Sequence, residues 1–139
     1  MSMTQIPHSL VGLRVLVVDD EADIREFITV VLESHGMSVK AVASAATAFE
    51  VLEPFQPDVL VCDIRMPGGS GYDLMRQIRD LEAKQGGHLP AIAITAYQDE
   101  DWEESLKAGF EAHLHKFAQP IEWIETIAQF ASPRSASPN

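Results

Sequence analysis

The stretch that decides the fold is VLVCDIRMPGGSG, residues 59–71. It begins with four apolar residues in a row, which is typical of a strand buried on both faces in a parallel sheet covered by helices. The run ends in an acid, Asp63, and then breaks into a loop rich in glycine. An aspartate at the end of such a strand either caps a turn or helix, or takes part in chemistry.

The composition indicates one globular domain. The chain has 139 residues, of which 46% are hydrophobic and 22% charged. The net charge of −11 argues against nucleic acid or an anionic membrane surface as a partner, because phosphates are bound by basic patches. The single cysteine, Cys62, excludes an intrachain disulfide, and the sequence has neither a secretory signal nor an apolar run long enough for a membrane span. We therefore expect a cytoplasmic protein.

Strand-like segments alternate with amphipathic helical segments along the chain. The strand RVLVV (14–18) is followed by a helix whose apolar residues recur at helical spacing, namely Ile24, Phe27, Ile28, Val31 and Leu32. Further strands are predicted at 38–43, 58–62, 90–95 and 112–116, each followed by a helical segment. Five such units predict an open, doubly wound α/β sheet with helices on both faces. Residues 1–12 and 132–139 are predicted to be tails, the second of them flexible.

Several helices have recognisable boundary signals. The second helix is predicted to begin after a Ser44 cap and to end at Pro54. Ser70 and Asp73 resemble a capping box at the start of the third helix. The fifth helix starts at Pro120, because proline is favoured at the first helical position.

Polar side chains stand where four of the predicted strands end: Asp19 and Asp20, Asp63, Thr95, and Lys116. Ligands of such sheets bind outside the carboxyl ends of the strands, so we expect these side chains to converge. Three close carboxylates destabilise one another unless a cation lies among them or a proton is retained, and Mg²⁺ is the natural cation. One aspartate then remains as a nucleophile toward phosphorus, while Mg²⁺ and the lysine neutralise the phosphoryl oxygens and the threonine donates a hydrogen bond to one of them.

Each of these residues also has a structural interpretation. Asp20, Glu21 and Asp23 form the acidic first turn of a helix, which the helix dipole favours. Asp63 alone is compatible with a turn before Pro67. The functional interpretation gains weight because all five polar side chains occupy equivalent ends of the repeated units.

The chain resembles the receiver domain of bacterial response regulators. The motifs that carry the resemblance are VLVVDDE (15–21), VCDIRMPGGSG (61–71), AITAY (93–97) and AGFEAHLHK (108–116). The resemblance implies a flavodoxin-like, three-layer (βα)₅ sandwich with strand order 2-1-3-4-5, within a receiver domain at 13–131. It also implies a phosphoacceptor signalling domain rather than an enzyme.

The resemblance implies a role for each site residue. Asp63 would accept a phosphoryl group from a histidine kinase or a histidine phosphotransfer protein, with Thr95 and Lys116 beside it. The Mg²⁺ ligands would be Asp19, Asp20, Asp63 and the backbone carbonyl of Arg65. Thr95 and His113 would form the switch, and a downstream protein would bind the face made by helix 4, strand 5 and helix 5.

Two positions depart from the family pattern. Phe117 follows Lys116, where the family usually has a proline in a cis peptide, and the sequence leaves open whether this peptide is cis. His113 stands where a tyrosine or phenylalanine is commoner, and we hypothesise that the switch is pH-sensitive. His113 and His115 also have a spacing that can bind zinc, but no third histidine or cysteine ligand is evident nearby.

Two other classes of function remain as alternatives. A phosphohydrolase of the haloacid-dehalogenase type also uses an aspartyl nucleophile at a strand end, but it needs a second acid two residues later, where this chain has Arg65. An unphosphorylated interaction module would have lost an acid, the threonine or the lysine of the site, and none is missing. The cognate kinase, the output and the oligomeric state stay open, as does the choice between a stand-alone regulator and part of a hybrid kinase.

Overall fold

A computed structural model describes residues 10–66, 70–96 and 102–130. Strands and helices alternate along these residues. The strands are β1 (Arg14–Val18), β2 (Ser38–Val42), β3 (Val59–Asp63), β4 (Ala91–Thr95) and β5 (Ala112–His115). The helices are α1 (Ala22–Glu33), α2 (Ala45–Phe55), α3 (Gly71–Gln85), α4 (Trp102–Ala108) and α5 (Pro120–Phe130).

The strands form one parallel sheet in the order β2-β1-β3-β4-β5. Side chains alternate between the two faces of each strand, so β1 and β3 contribute to two separate cores. Val15, Val17 and Val61 pack against residues of α1 and α5, including the fully buried Trp123. The next residues along the strands, such as Leu16, pack against α2 and α3. The predicted doubly wound, three-layer sandwich is confirmed.

Most of the predicted helix boundaries agree with the structure. The Ser44 hydroxyl accepts a hydrogen bond from the Thr47 amide, and Ser70 and Asp73 form the complete capping box. α5 begins at Pro120, as predicted. All of these signals are local, because a cap needs only the first turn of its own helix.

Other boundaries and faces differ from the predictions. α2 continues through Pro54 to Phe55 and ends at Gln56, whose φ of 54° lies in the left-handed region. Phe27, predicted on the apolar face of α1, is 38% exposed. Leu10, within the segment predicted to be a tail, is buried in the core beside α1. The described helices include none with the length and apolarity needed to cross a bilayer.

Candidate functional site

The carboxyl end of the sheet brings the predicted polar side chains together. Asp19 directly follows β1, Asp63 ends β3, and Lys116 directly follows β5. The Lys116 ammonium lies 3.1 Å from Asp63 Oδ2 and 3.3 Å from Asp19 Oδ2. The Lys116 amide also donates to the backbone carbonyl of Thr95 at 2.9 Å, which ties the ends of β4 and β5 together. The topology thus places the Lys116 ammonium beside two buried carboxylates.

Three aspartates form an acidic cluster at this end of the sheet. Carboxylate oxygens of Asp19, Asp20 and Asp63 all lie within 4.8 Å of one another. Asp19 is fully buried and Asp63 is 3% exposed, whereas Asp20 faces solvent. Two carboxylates therefore form the floor of the site and the third stands at its entrance.

Local hydrogen bonds fix the two buried carboxylates. Asp19 Oδ1 accepts from the Glu21 amide at 2.8 Å, and the Asp19 carbonyl accepts from the Arg25 guanidinium. Asp63 Oδ1 accepts from the Arg65 amide at 3.1 Å. Asp19 Oδ2 is buried, and the Lys116 ammonium lies 3.3 Å away as its ion-pair partner, without the geometry of a hydrogen bond. A carboxylate oxygen can accept more than one contact, so Asp19 Oδ2 can still accept a ligand.

Burial dominates the electrostatics of the site. It raises the pKa of Asp63 to about 6, against the hydrogen bond from Lys116, and the neighbouring Asp19 carboxylate adds to the rise. Burial also raises the pKa of Asp19. Burial opposes the charge of Lys116, but hydrogen bonds to Glu21 and Asp63 outweigh it and raise the lysine pKa. The pKa of the Cys62 thiol is raised by burial as well, so this cysteine is an unreactive core residue.

The side chains line an open cleft of about 270 Å³. Its lining residues are Asp20, Glu21, Asp63, Arg65, Thr95, Ala96 and Lys116. The cleft therefore combines carboxylates, a hydroxyl and an ammonium, which can accommodate a cation and an oxyanion side by side.

Two features of the site were not recognised in the sequence. Glu21 was considered only as part of an acidic helix start, yet its Oε1 lies 2.5 Å from the Lys116 ammonium. Gly71 begins α3 so close to β3 that a Cβ there would lie 2.6 Å from the Asp63 carbonyl oxygen. Its amide donates to the Ile64 carbonyl at 2.9 Å. Glycine is required at this position by close approach, while residues 67–69 of the same loop lie outside the described residues.

His113 and Thr95 line a second cavity, of about 420 Å³, next to the cleft. His113 is paired in register with Ala93, whereas Thr95 is paired with His115. The exposed His113 ring lies 4.7 Å from the Trp102 ring. Among the described residues, the three aspartates are the only group of three or more side chains suited to a metal, so neither histidine belongs to such a group.

The turn after β5 also departs from the family pattern. No peptide is cis in the residues that the structure describes, so the bond between Lys116 and Phe117 is trans. Phe117 is 73% exposed, and its amide donates to His115 Nδ1 at 3.1 Å. The Ala118 amide also donates to the His115 carbonyl at 3.0 Å, so the imidazole and the main chain together close this turn.

The parallel sheet and the acidic cleft at its carboxyl end define a phosphorelay receiver, and comparison with known proteins agrees. Residues 15–128 match the response regulator receiver domain model. The chain therefore belongs to this family, whose members act in two-component and phosphorelay signalling.

Three similar proteins illustrate the range of this family. An uncharacterized 14.6 kDa protein of Leptolyngbya boryana is 37% identical over 124 residues, covering 88% of this chain and 93% of that protein. The phosphate regulon transcriptional regulatory protein PhoB of Pseudomonas aeruginosa is 34% identical over 85% of this chain, which spans only 51% of PhoB. The receiver domain of the P. aeruginosa sensor histidine kinase PA1611, solved with magnesium in its active-site cleft, is 30% identical, with a TM-score of 0.77 and coverage of 86% of this chain and 98% of that one.

Proposed function

We propose that this chain is a Mg²⁺-dependent phosphoacceptor in a phosphorelay, and that Asp63 receives the phosphoryl group. The observation that carries this proposal is the placement of a buried carboxylate at a strand end, 3.1 Å from a lysine ammonium and beside two further acids. A structural cap or turn residue would need neither the lysine nor the acids.

The transfer follows the chemistry of an aspartyl nucleophile. One carboxylate oxygen of Asp63 attacks the phosphorus of a phosphohistidine on a kinase or phosphotransfer protein. A P–O bond forms as the P–N bond breaks, and the electron pair stays on the histidine nitrogen, leaving the ring neutral if that ring was protonated. Attack requires the ionised carboxylate, which the positive charges of Lys116 and of a bound cation favour.

The described residues have complementary roles in this transfer. The Lys116 ammonium neutralises a phosphoryl oxygen, and the Thr95 hydroxyl donates a hydrogen bond to another. Both residues line the same cleft as Asp63. The site therefore works by positioning and charge neutralisation, which are the main contributions of proteins to phosphoryl transfer.

The acidic cluster fits Mg²⁺, which would be held by Asp19, Asp20, Asp63 and the backbone carbonyl of Arg65. The fit rests on the buried Asp19 Oδ2, which makes no hydrogen bond among the described residues beyond its ion pair with Lys116, and on the all-oxygen donor set, which suits a hard cation. The bound ion supplies positive charge that neutralises phosphoryl oxygens. The magnesium in the PA1611 receiver domain supports the same assignment for this chain.

The signal passes on through Thr95 and His113. When Thr95 moves toward the phosphoryl group, the 420 Å³ cavity offers room for His113 to leave its packing on Trp102. That movement changes the face made by α4, β5 and α5, to which a downstream protein binds. Neither nucleic acid nor a membrane is a partner of this domain in our proposal.

The decisive experiment is phosphorylation by a small acyl-phosphate donor with Mg²⁺, followed by intact mass measurement. The wild type should gain one phosphoryl group, and Asp63→Asn should gain none. Asp80→Asn is the matched control, because it removes an exposed carboxylate of α3 and should leave the gain unchanged. Chelation of Mg²⁺ should suppress the gain. A wild type that accepts nothing from the donor or from a phosphorylated phosphotransfer protein would overturn the proposal and favour an interaction module.

A further inference from the structure

Three carboxylates share the Lys116 ammonium. The contact with Glu21 Oε1 is the shortest, at 2.5 Å, and those with Asp63 and Asp19 are 3.1 and 3.3 Å. An ammonium has three protons to donate. Three acids therefore surround the ammonium, and a phosphoryl oxygen that approaches Lys116 competes with them for its protons.

The Glu21 side chain is directed toward the lysine and not toward its own helix. Glu21 is the N-cap residue of α1, yet its side chain makes no hydrogen bond to the amides of the first turn. An acidic side chain beside a helix N-terminus is ordinarily stabilised by those amides. Here the carboxylate contacts Lys116 instead, 95 positions away in sequence. Its main chain alone serves the helix start: the Glu21 carbonyl accepts from the Arg25 amide at 3.1 Å, and its amide donates to Asp19 Oδ1.

Glu21 is also the acid that can leave the lysine most easily. Its side chain is 57% exposed, whereas those of Asp19 and Asp63 are 0% and 5% exposed. On release the Glu21 carboxylate becomes hydrated, while either aspartate would stay buried without its cation. Before the transfer, Glu21 is therefore the contact that Lys116 can exchange for a phosphoryl oxygen at the lowest cost.

We propose that Glu21 is a positioning residue that restrains Lys116 in the unphosphorylated protein and releases it to the incoming phosphoryl group. This inference rests on the proposed function. It assigns the glutamate after the two aspartates a restraining role outside the metal site, so that loss of its contact makes the phosphoacceptor faster.

The test compares phosphorylation rates of four proteins at saturating Mg²⁺ with a small acyl-phosphate donor. Glu21→Gln removes the charge, and Glu21→Asp keeps the charge on a side chain one methylene shorter. Asp23→Asn removes an exposed charge from the same helix turn and is the control for simple repulsion of an anionic donor. Both Glu21 variants should react about three- to fivefold faster, as expected for loss of a partly exposed ion pair, and Asp23→Asn should stay near the wild-type rate.

A second measurement follows the contact itself, without Mg²⁺ or donor. Hydrogen exchange of the Lys116 ammonium protons, followed by NMR, should be faster in both Glu21 variants and unchanged in Asp23→Asn. Glu21 variants that react no faster than the wild type would overturn the inference, as would an equal acceleration in Asp23→Asn. A wild type that is never phosphorylated would instead refute the proposed function, while the exchange experiment would still report on the Glu21 contact.

Discussion

The two ends of the sheet differ in how their charged groups are paired. At the amino ends of β4 and β5, the Arg79 guanidinium donates to both Glu82 oxygens at 2.9 Å and to the carbonyls of Leu89 and Gly109 at 2.9 and 2.6 Å. Glu82 in turn accepts from the Leu89 amide at 2.6 Å. We call these residues, together with His88 and Glu111, the amino-end cluster. Arg79 and Glu82 pair opposite charges, and each also bonds to the main chain of a loop, as in a network that holds loops in place.

The carboxyl end leaves its charges partly unmatched. Three carboxylates contact a single ammonium, that of Lys116, and the contact from Asp19 Oδ2 lacks the geometry of a hydrogen bond. Burial raises the pKa of both Asp19 and Asp63, so the folded protein bears a cost for their ionisation. The amino-end cluster stabilises the fold, whereas the excess of carboxylates at the carboxyl end costs stability that a bound cation would recover.

The largest effect on stability is expected in the amino-end cluster. Arg79→Ala would leave Glu82 and two carbonyls without their donor and should lower the free energy of unfolding by about 3 kcal/mol. Arg76→Ala on the same helix is the control, because its pair with Asp73 is more than half exposed on both sides and should cost no more than about 0.5 kcal/mol. Urea unfolding measures both values, and equal losses would contradict the structural role of the cluster.

The next comparison is between two glycines, Gly71 at the carboxyl end of the sheet and Gly87 at its amino end. Gly71→Ala should destabilise the protein by about 2 kcal/mol and slow phosphorylation, because the new methyl group overlaps the Asp63 carbonyl. Gly87→Ala, in the loop before β4, meets no atom within 4 Å and should cost only about 1 kcal/mol, for its φ of 88°. Thermal unfolding and the mass assay give the two readouts. A greater loss in Gly87→Ala would show that backbone strain outweighs the close approach.

Asp63→Asn should raise the free energy of unfolding when Mg²⁺ is absent, in contrast to the substitutions above. The pKa of Asp63 is about 6 in the folded protein and 3.8 as its ordinary value, so the folded state binds the proton more tightly. Stability therefore falls as pH rises from about 4 to 6, and the substitution removes this loss. We expect Asp63→Asn to be more stable than wild type by about 1–2 kcal/mol at pH 7, and the difference to vanish below pH 4. Urea unfolding in chelator across this range measures it; a gain that persists in acid would point to a cause other than charge.

The smallest effect is expected for His88→Gln in the amino-end cluster. His88 Nε2 lies 3.0 Å from Glu111, but its side chain is 56% exposed. The loss should not exceed about 0.5 kcal/mol in urea unfolding. A loss as large as that of Arg79→Ala would make the histidine the centre of the cluster.

Much of the carboxyl end could be predicted from the sequence. Apolar runs identify the strands, and parallel topology brings their last residues to one edge, so Asp63 and Lys116 meet although 53 positions separate them. The caps at Ser44 and Ser70 were predictable for a different reason, since each depends only on its own helix turn.

The unpredicted features depend on side-chain directions across the fold. Glu21 looks like any acid at a helix start until Lys116 is placed beside it. Arg79 looks like a surface charge of α3, because its carbonyl partners come from two distant loops. The exposure of Phe27 has the same origin, as a helical stripe does not reveal how wide a face its neighbours cover.

The turn after Lys116 has a consequence for the chemistry of His115. The Phe117 amide donates its hydrogen to Nδ1, so that nitrogen must be bare. A neutral His115 therefore carries its hydrogen on Nε2 and presents this donor away from the turn. This protein thus adds a single imidazole tautomer to the main-chain hydrogen bond between Ala118 and His115 that holds the turn.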